Sequence, residues 1–261
     1  MAVDLSSVMT GAVNEPPRIV LQGVQGIGKS TLAAAAPSPI FIQTEDGLGM
    51  LDVPHFPLAE TYQDVIDAMS SLATQDHDYQ TLVVDSLDWL EPLIHRHVCA
   101  QNNWATIDEA GYGKGYTAAG EIWSEFIDAL NYIRATKKMT VILTAHVQIK
   151  RHDNPATDPY DRYTIKLHKN AGNKMVEYAD CVLFANYRIS TTQTEGGFNQ
   201  KKTRAIGSGE RILFTEERPS HIAKNRFNMP PELSLDWKTL ASHIPYLSAP
   251  TPTKTKLKEI A

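Results

Sequence analysis

Gly23-Val24-Gln25-Gly26-Ile27-Gly28-Lys29-Ser30, followed by Thr31, fits the spacing G-x-x-x-x-G-K-[ST]. A short apolar run, Ile19-Val20-Leu21, precedes it, and an alanine-rich stretch over residues 29–36, closed by Pro37, follows. The run reads as a buried strand and the stretch as a helix. Between a strand and a helix this spacing has a physical meaning. Glycines let successive backbone N–H groups converge on phosphate oxygens, and the helix points its positive end at them. The lysine reaches the outer phosphates and the Ser30 hydroxyl is suited to a Mg²⁺ ion.

Outward from the loop, further apolar runs alternate with helical spacings. Ile40-Phe41-Ile42, residues 81–85, 140–144 and 181–184 read as strands buried on both faces. Residues 62–73, 87–104 and 118–135 read as helices, the last with Ile122, Phe126, Ile127, Leu130 and Ile133 on one stripe. Strands alternating with amphipathic helices predict an α/β fold with a mostly parallel sheet flanked by helices. After Asn186 the pattern changes to period two. Residues 188–194 and 201–206 alternate around Glu195-Gly196-Gly197-Phe198-Asn199, which predicts a C-terminal β-hairpin extension, with further strands at 211–214 and near 221–223.

Of the 261 residues, 42% are hydrophobic and 21% charged, which excludes collagen, coiled coil and wholesale disorder. No apolar run reaches membrane-spanning length and no basic-then-apolar leader opens the chain, so no membrane partner is expected. Cys99 and Cys181 are too few for a disulfide framework and read as core residues in a reducing, cytoplasmic setting. The net charge of −5 conceals an asymmetry: residues 1–149 carry 7 Lys and Arg against 18 Asp and Glu, whereas residues 150–226 carry 14 against 9. A local cationic excess is what a polyanion surface needs, because charges beyond a Debye length are screened. It is equally what a solvated β-rich excursion would show.

Three strand ends add chemistry to the loop. Val83-Val84-Asp85-Ser86 ends a buried run in a carboxylate suited to a Mg²⁺ sphere, although an Asp there also suits a plain helix N-cap. Ile42-Gln43-Thr44-Glu45-Asp46 ends the second strand in acids. Leu143-Thr144-Ala145-His146 ends the fourth in a polar residue, His146.

In this order the motifs resemble the RecA core, and their compactness resembles the phage RecA-like P-loop ATPases, the phage nucleotide-binding proteins that include single-strand annealing ATPases. The likeness covers roughly residues 18–230. It implies a RecA-like P-loop NTPase fold, ATP with Mg²⁺, and ATP hydrolysis stimulated by DNA. Gly23, Val24, Gln25, Gly26, Ile27, Gly28, Lys29, Ser30 and Thr31 would bind the nucleotide, Ser30 and Asp85 the metal. Glu45 would activate water and His146 would sense the outermost phosphate, a place where the family usually has glutamine. Ile222-Ala223-Lys224-Asn225-Arg226-Phe227 resembles the finger motif by which one subunit reaches a neighbour's nucleotide, so Lys224 and Arg226 join the catalytic set and a ring or filament of identical subunits is implied.

Glu109 to Tyr116, with Tyr112, Lys114 and Tyr116, stands where the family has its first DNA-binding loop. Residues 150–170 stand where it has its second, with Lys150, Arg151, Arg162, Lys166 and Lys169 among Tyr160, Tyr163, His152 and His168. Cations that track phosphates and rings that stack on bases suit single-stranded DNA without sequence readout. Lys201, Lys202 and Arg204 are a third candidate contact. The function so implied is promotion of phage recombination by strand annealing in the host cytoplasm, with a single-strand-binding protein as a candidate partner. A helicase-like or branch-migration motor and a nucleotide-gated protein-interaction module are the alternatives. The expected organisation is an arm (1–16), one ATPase domain (17–247) and a disordered tail (248–261).

Overall fold

The structure is a computed structural model that describes residues 4, 8, 10–11, 14–196 and 200–248, excluding the side chains of 190–208. Its centre is a parallel sheet in the order β2 (Pro39–Gln43), β3 (Thr81–Asp85), β4 (Thr140–His152), β1 (Arg18–Gly23) and β6 (Cys181–Gly196). Every neighbouring pair in this set is parallel, as strands joined through helices must be. An antiparallel flank follows: β7 (Gln200–Phe214) pairs with β6, and β9 (Glu232–Ser234) pairs with β7.

The apolar runs are continuous because both faces are covered. Ile19 and Leu21 point to one face with Phe41, Val83, Ile142 and Leu183. Val20 points to the other, with Ile40, Ile42, Leu82, Val84 and Leu143. The first face is covered by α1 (Lys29–Ala34) and α6 (Trp237–Ser242) through Leu32 and Leu240. The second is covered by α2 (Tyr62–Thr74), α3 (Leu87–Asn102), α4 (Lys114–Lys137) and α5 (Lys169–Tyr178). On α4 the expected stripe of Ile122, Phe126, Leu130 and Ile133 is buried together with Trp123. Each such large side chain contributes about 1.5–3 kcal/mol by leaving water. Thr61 caps α2 reciprocally with Asp64, a signal written in the sequence as T-x-x-D.

Several expectations need correction. Residues 150–170 are not a loop: β4 continues past the sheet to His152 and turns back as β5 (Tyr160–Ile165), pairing Val147 with Ile165 and Lys150 with Arg162. Tyr116 is not in a loop either, because α4 begins at Lys114, before the expected residue 118. Gly113 enters that helix with φ +73, and a Cβ at Gly115 would overlap the Ile107 carbonyl, so glycine alone fits this close approach. The segments expected at 201–206 and 211–214 are one strand, β7. The short strand near 221–223 falls instead at β8 (Lys224–Asn225) against β6, while His221 makes isolated bridges with Tyr163 and Arg218. The helix α7 (Pro245–Ser248), like α6 and β9, carried no signal we read. The turn residues 197–199, the tail from 249 and most of the arm lie outside the described residues.

Candidate nucleotide site and adjoining groove

Parallel strands in register bring their C-terminal ends to one edge, and the chemistry sits on those ends. Gly23 pairs with His146 and Gln43 with Asp85, so the loop after β1, the acids after β2 and β3, and the polar end of β4 meet there. This is the edge at which open α/β sheets bind ligands.

Gly26 and Gly28 take φ +69 and +108, which turn the loop into α1. A Cβ at Gly23 would stand 2.5 Å from the Ala185 carbonyl oxygen, so β1 and β6 require glycine there too. Lys29 is only 6% exposed and donates from Nζ to the carbonyls of Gly23 (3.2 Å) and Val24 (3.1 Å). Burial pushes its ammonium below the usual lysine range, against the pull of Asp85, Asp88 and Glu45. A buried ammonium held by neutral carbonyls is a cradle fit for a phosphate anion.

The Ser30 hydroxyl donates to Asp85 Oδ2 at 2.6 Å, and the Thr144 hydroxyl donates to Oδ1 at 2.5 Å. Ser30 and Asp85 thus offer adjoining oxygens, the donor set Mg²⁺ accepts when phosphate and water supply the rest. Glu45 is half-buried, its Oε2 accepting from the Ser86 hydroxyl at 3.1 Å and standing 3.8 Å from His146 Nδ1. Loop, Lys29, Ser30, Thr31, Glu45, Asp85 and His146 line one cavity of about 370 Å³, with residues 47–51 as its lip.

A second cavity, about 500 Å³, opens beside α3. Tyr116, Lys150 and Lys166, three of the residues singled out for DNA, line it together. The Tyr116 ring stacks on His168 (centroids 4.1 Å apart, 8° between planes) and meets His95 edge-on at 5.6 Å. Burial, then His168, holds His95 below the usual histidine range; burial, then Lys150, does the same for His168. At neutral pH the rings are therefore uncharged stacking faces, and the positive charge comes from Lys150 and Lys166, set against the Asp88 and Glu91 carboxyls in the same lining. Trp89, half exposed, lines the same groove.

The remaining DNA candidates do not join this groove. Arg162 is 13% exposed in its side chain and pairs with Glu217 at 3.0 Å. Arg151 is exposed beside Asp153 (3.7 Å). Tyr112 and Lys114 are exposed where α4 begins, and Lys169 is exposed where α5 begins. The side chains of Lys201, Lys202 and Arg204 lie outside the described residues.

Lys224 and Arg226 stand at the other end of the sheet. β8 pairs with the first residues of β6, whereas Gly23 pairs with Ala185, about four residues or 13 Å along the strand. Lys224 Nζ donates to the carbonyls of Val176 (2.7 Å) and Glu177 (3.0 Å), closing α5. Arg226 Nη1 is 3.3 Å from Asp180, whose carboxylate also takes a two-pronged bond from Arg18.

Two residues of the site were not singled out in the sequence. Arg211 on β7 donates from Nη1 to the Ile27 carbonyl at 3.3 Å and braces the loop from outside. Asp88, on the first turn of α3, accepts from the His146 amide at 2.9 Å and sits 3.0 Å from its ring Nδ1. Arg211 has no local signal, since 184 positions separate it from Ile27. Asp88 had one: it lies three residues beyond Asp85, a helical turn away from the same strand end.

Such a loop, buried lysine and paired strand-end carboxylate on a parallel sheet define a nucleotide-binding protein of the phosphate-loop class. Over residues 15–227 the chain matches the family described as AAA domain, and it belongs to that family. The fold is thus an AAA-type ATPase fold, in agreement with the likeness to phage P-loop ATPases. The chain is 23% identical over 237 residues to the SPbeta prophage-derived uncharacterized protein YorG of Bacillus subtilis (strain 168), covering 87% of this chain and 66% of that relative, just under two thirds of its length. A solved structure of the RadB recombinase aligns over 85% of this chain and 86% of its own, with TM-score 0.45 and 15% identity. No helix among the described residues is long and apolar enough to cross a membrane.

Proposed function

We propose that this protein binds MgATP in the phosphate-loop cavity, binds single-stranded DNA in the adjoining groove, and uses the one to regulate the other while annealing strands in phage recombination. The observation that carries the reading is the convergence of Tyr116, Lys150 and Lys166 beside a wall, Asp88 and His146, that also borders the nucleotide cavity. The prophage origin of the relative fits a phage setting in the host cytoplasm.

Lys29 and the loop amides would hold the phosphates, with Ser30 and Asp85 holding Mg²⁺, whose charge offsets that of the outer phosphates when it is bound. Glu45 would take the proton of the attacking water. Lys224 and Arg226, far from their own loop, suit a neighbour's site in a ring or filament, provided that assembly exchanges their present partners. Arg226→Ala is then expected to lower hydrolysis in concentrated, assembled protein and to leave dilute protein unchanged. Wild-type turnover at saturating protein would remove the finger role.

In the groove, each lysine neutralises about one phosphate. Lys150→Ala with Lys166→Ala should flatten the slope of log K against log salt by about 1.4, at roughly 0.7 per single-strand phosphate. Tyr116→Ala should cost about 1–3 kcal/mol of binding, largely independent of salt. Titrations of labelled oligothymidylate across a salt series check both, and an unchanged slope would move the DNA surface elsewhere. The deciding functional experiment compares ATPase rate with and without unstructured oligonucleotide, alongside annealing of complementary strands and unwinding of a forked duplex. Unwinding in place of annealing would favour a motor.

A further inference from the structure

We propose that Asp88 is a positioning residue that couples the nucleotide cavity to the groove by holding the His146 ring on one side and the Lys166 ammonium on the other. The inference rests on the single-stranded DNA reading of the groove. The Asp88 side chain is 1% exposed. Its Oδ1 accepts the His146 backbone N–H at 2.9 Å; its Oδ2 lies 3.0 Å from His146 Nδ1 and 3.7 Å from Lys166 Nζ. The Lys166 amide in turn donates to the His146 carbonyl at 2.9 Å, so ring, carboxylate and ammonium belong to one braced unit. His146 lines the nucleotide cavity, while Asp88 and Lys166 line the groove. This carboxylate is the wall between them.

Burial alone would discourage ionisation of Asp88, but hydrogen bonds from the His146 ring and amide outweigh it and hold the carboxyl below its ordinary range. The group is therefore an anion at neutral pH and can only accept. That makes His146 Nδ1 the donor and fixes the tautomer, leaving Nε2 as the ring's other hydrogen-bonding atom. A polyanion entering the groove draws on Lys166, whose pull on Oδ2 weakens, and the carboxylate then leans on the imidazole alone. In the other direction, a phosphate that draws the imidazole leaves Asp88 to Lys166 and dulls that cation toward DNA. Because the coupling is a free energy, each ligand must change the other's affinity by the same factor.

The test uses the full chain, a non-hydrolysable ATP analogue and labelled oligothymidylate, each titrated with and without the other. Wild-type protein is expected to show each ligand weakening the other by the same factor, about 5–150. Asp88→Asn, which keeps shape and the amide-accepting oxygen but not the charge, is expected to bring that factor near unity. The factor is a ratio within one variant, so a change in either separate affinity does not mimic the result. An independent readout needs no variant: in wild-type protein, oligothymidylate alone should shift the His146 imidazole nitrogen resonances. A wild-type coupling factor in Asp88→Asn, or unmoved His146 nitrogens on DNA binding, would overturn the inference while leaving the DNA reading intact. Absence of any oligothymidylate binding by wild-type protein would overturn that reading and this inference with it.

Discussion

Lys29→Ala is expected to abolish measurable ATP hydrolysis, a loss of at least about 10²–10³-fold, which is the scale of removing one preorganised donor to transition-state charge. The reason is visible before any nucleotide arrives. Lys29 is buried, its Nζ rests on two loop carbonyls, and burial disfavours its charge. The fold bears that cost in a place where only an anion relieves it. Alanine removes the cost along with the function, so the substituted protein should stay folded and melt no lower than wild type without nucleotide. Added ATP should then separate the two. A ligand at 100 times its dissociation constant stabilises by about 2.7 kcal/mol, so wild type should rise in melting temperature and Lys29→Ala should not. Turnover assays and thermal melts with and without MgATP check this pair of outcomes; undiminished turnover would remove the assignment of the cavity.

The parts of this site that were legible from sequence are those written locally. The glycine spacing and the run Leu82-Val83-Val84-Asp85 each need only a few neighbouring residues to read, and each stands where it was expected; the reciprocal cap at Thr61 and Asp64 is as local but was not read. The hairpin of β4 and β5 was also written locally, as the alternation Val147, Gln148, Ile149, Lys150. Pro155, Pro159 and three nearby aspartates gave the segment the composition of a solvated loop and masked the period of two. The α4 boundary was missed for a different reason. Gly111, Gly113 and Gly115 read as loop, but Gly115 lies inside the helix, a glycine there because the Ile107 backbone leaves no space for a side chain. What sequence does not carry is a contact made across the fold. Arg211 reaches Ile27 from the antiparallel flank, Tyr116 stacks on His168 from a helix that starts far upstream, and Asp88 meets Lys166 only because β5 folds back on β4.

The same distinction bears on how the groove and the cavity would communicate under the proposed coupling. β4 enters the sheet as a buried parallel strand and leaves it as one arm of a polar hairpin, and the change occurs at His146. A residue at that point belongs to two structures at once: its amide side is fixed by Asp88, and its carbonyl by Lys166. Under the proposed function, displacement of the hairpin by a bound strand would be felt at the end of the sheet where Glu45 stands, 3.8 Å from the same ring.

Glu45→Gln is expected to lower kcat by about 10²–10⁴-fold, the usual contribution of a positioned general base, with ATP binding retained. Retention follows from the geometry. Glu45 touches Ser86 and approaches His146, and glutamine keeps an oxygen able to accept from the Ser86 hydroxyl at the same place. The residues that would hold phosphate and metal, Lys29, Ser30 and Asp85, are tied to the loop and to Thr144 and do not depend on Glu45. What glutamine cannot do is accept a proton from water. Single-turnover hydrolysis should therefore fall as far as steady-state kcat does. A fall in affinity without a fall in the single-turnover rate would make Glu45 a binding residue. An unchanged rate would shift the base to Asp46, exposed beside it, or to His146, whose ring Asp88 already orients in the manner of a carboxylate–histidine pair.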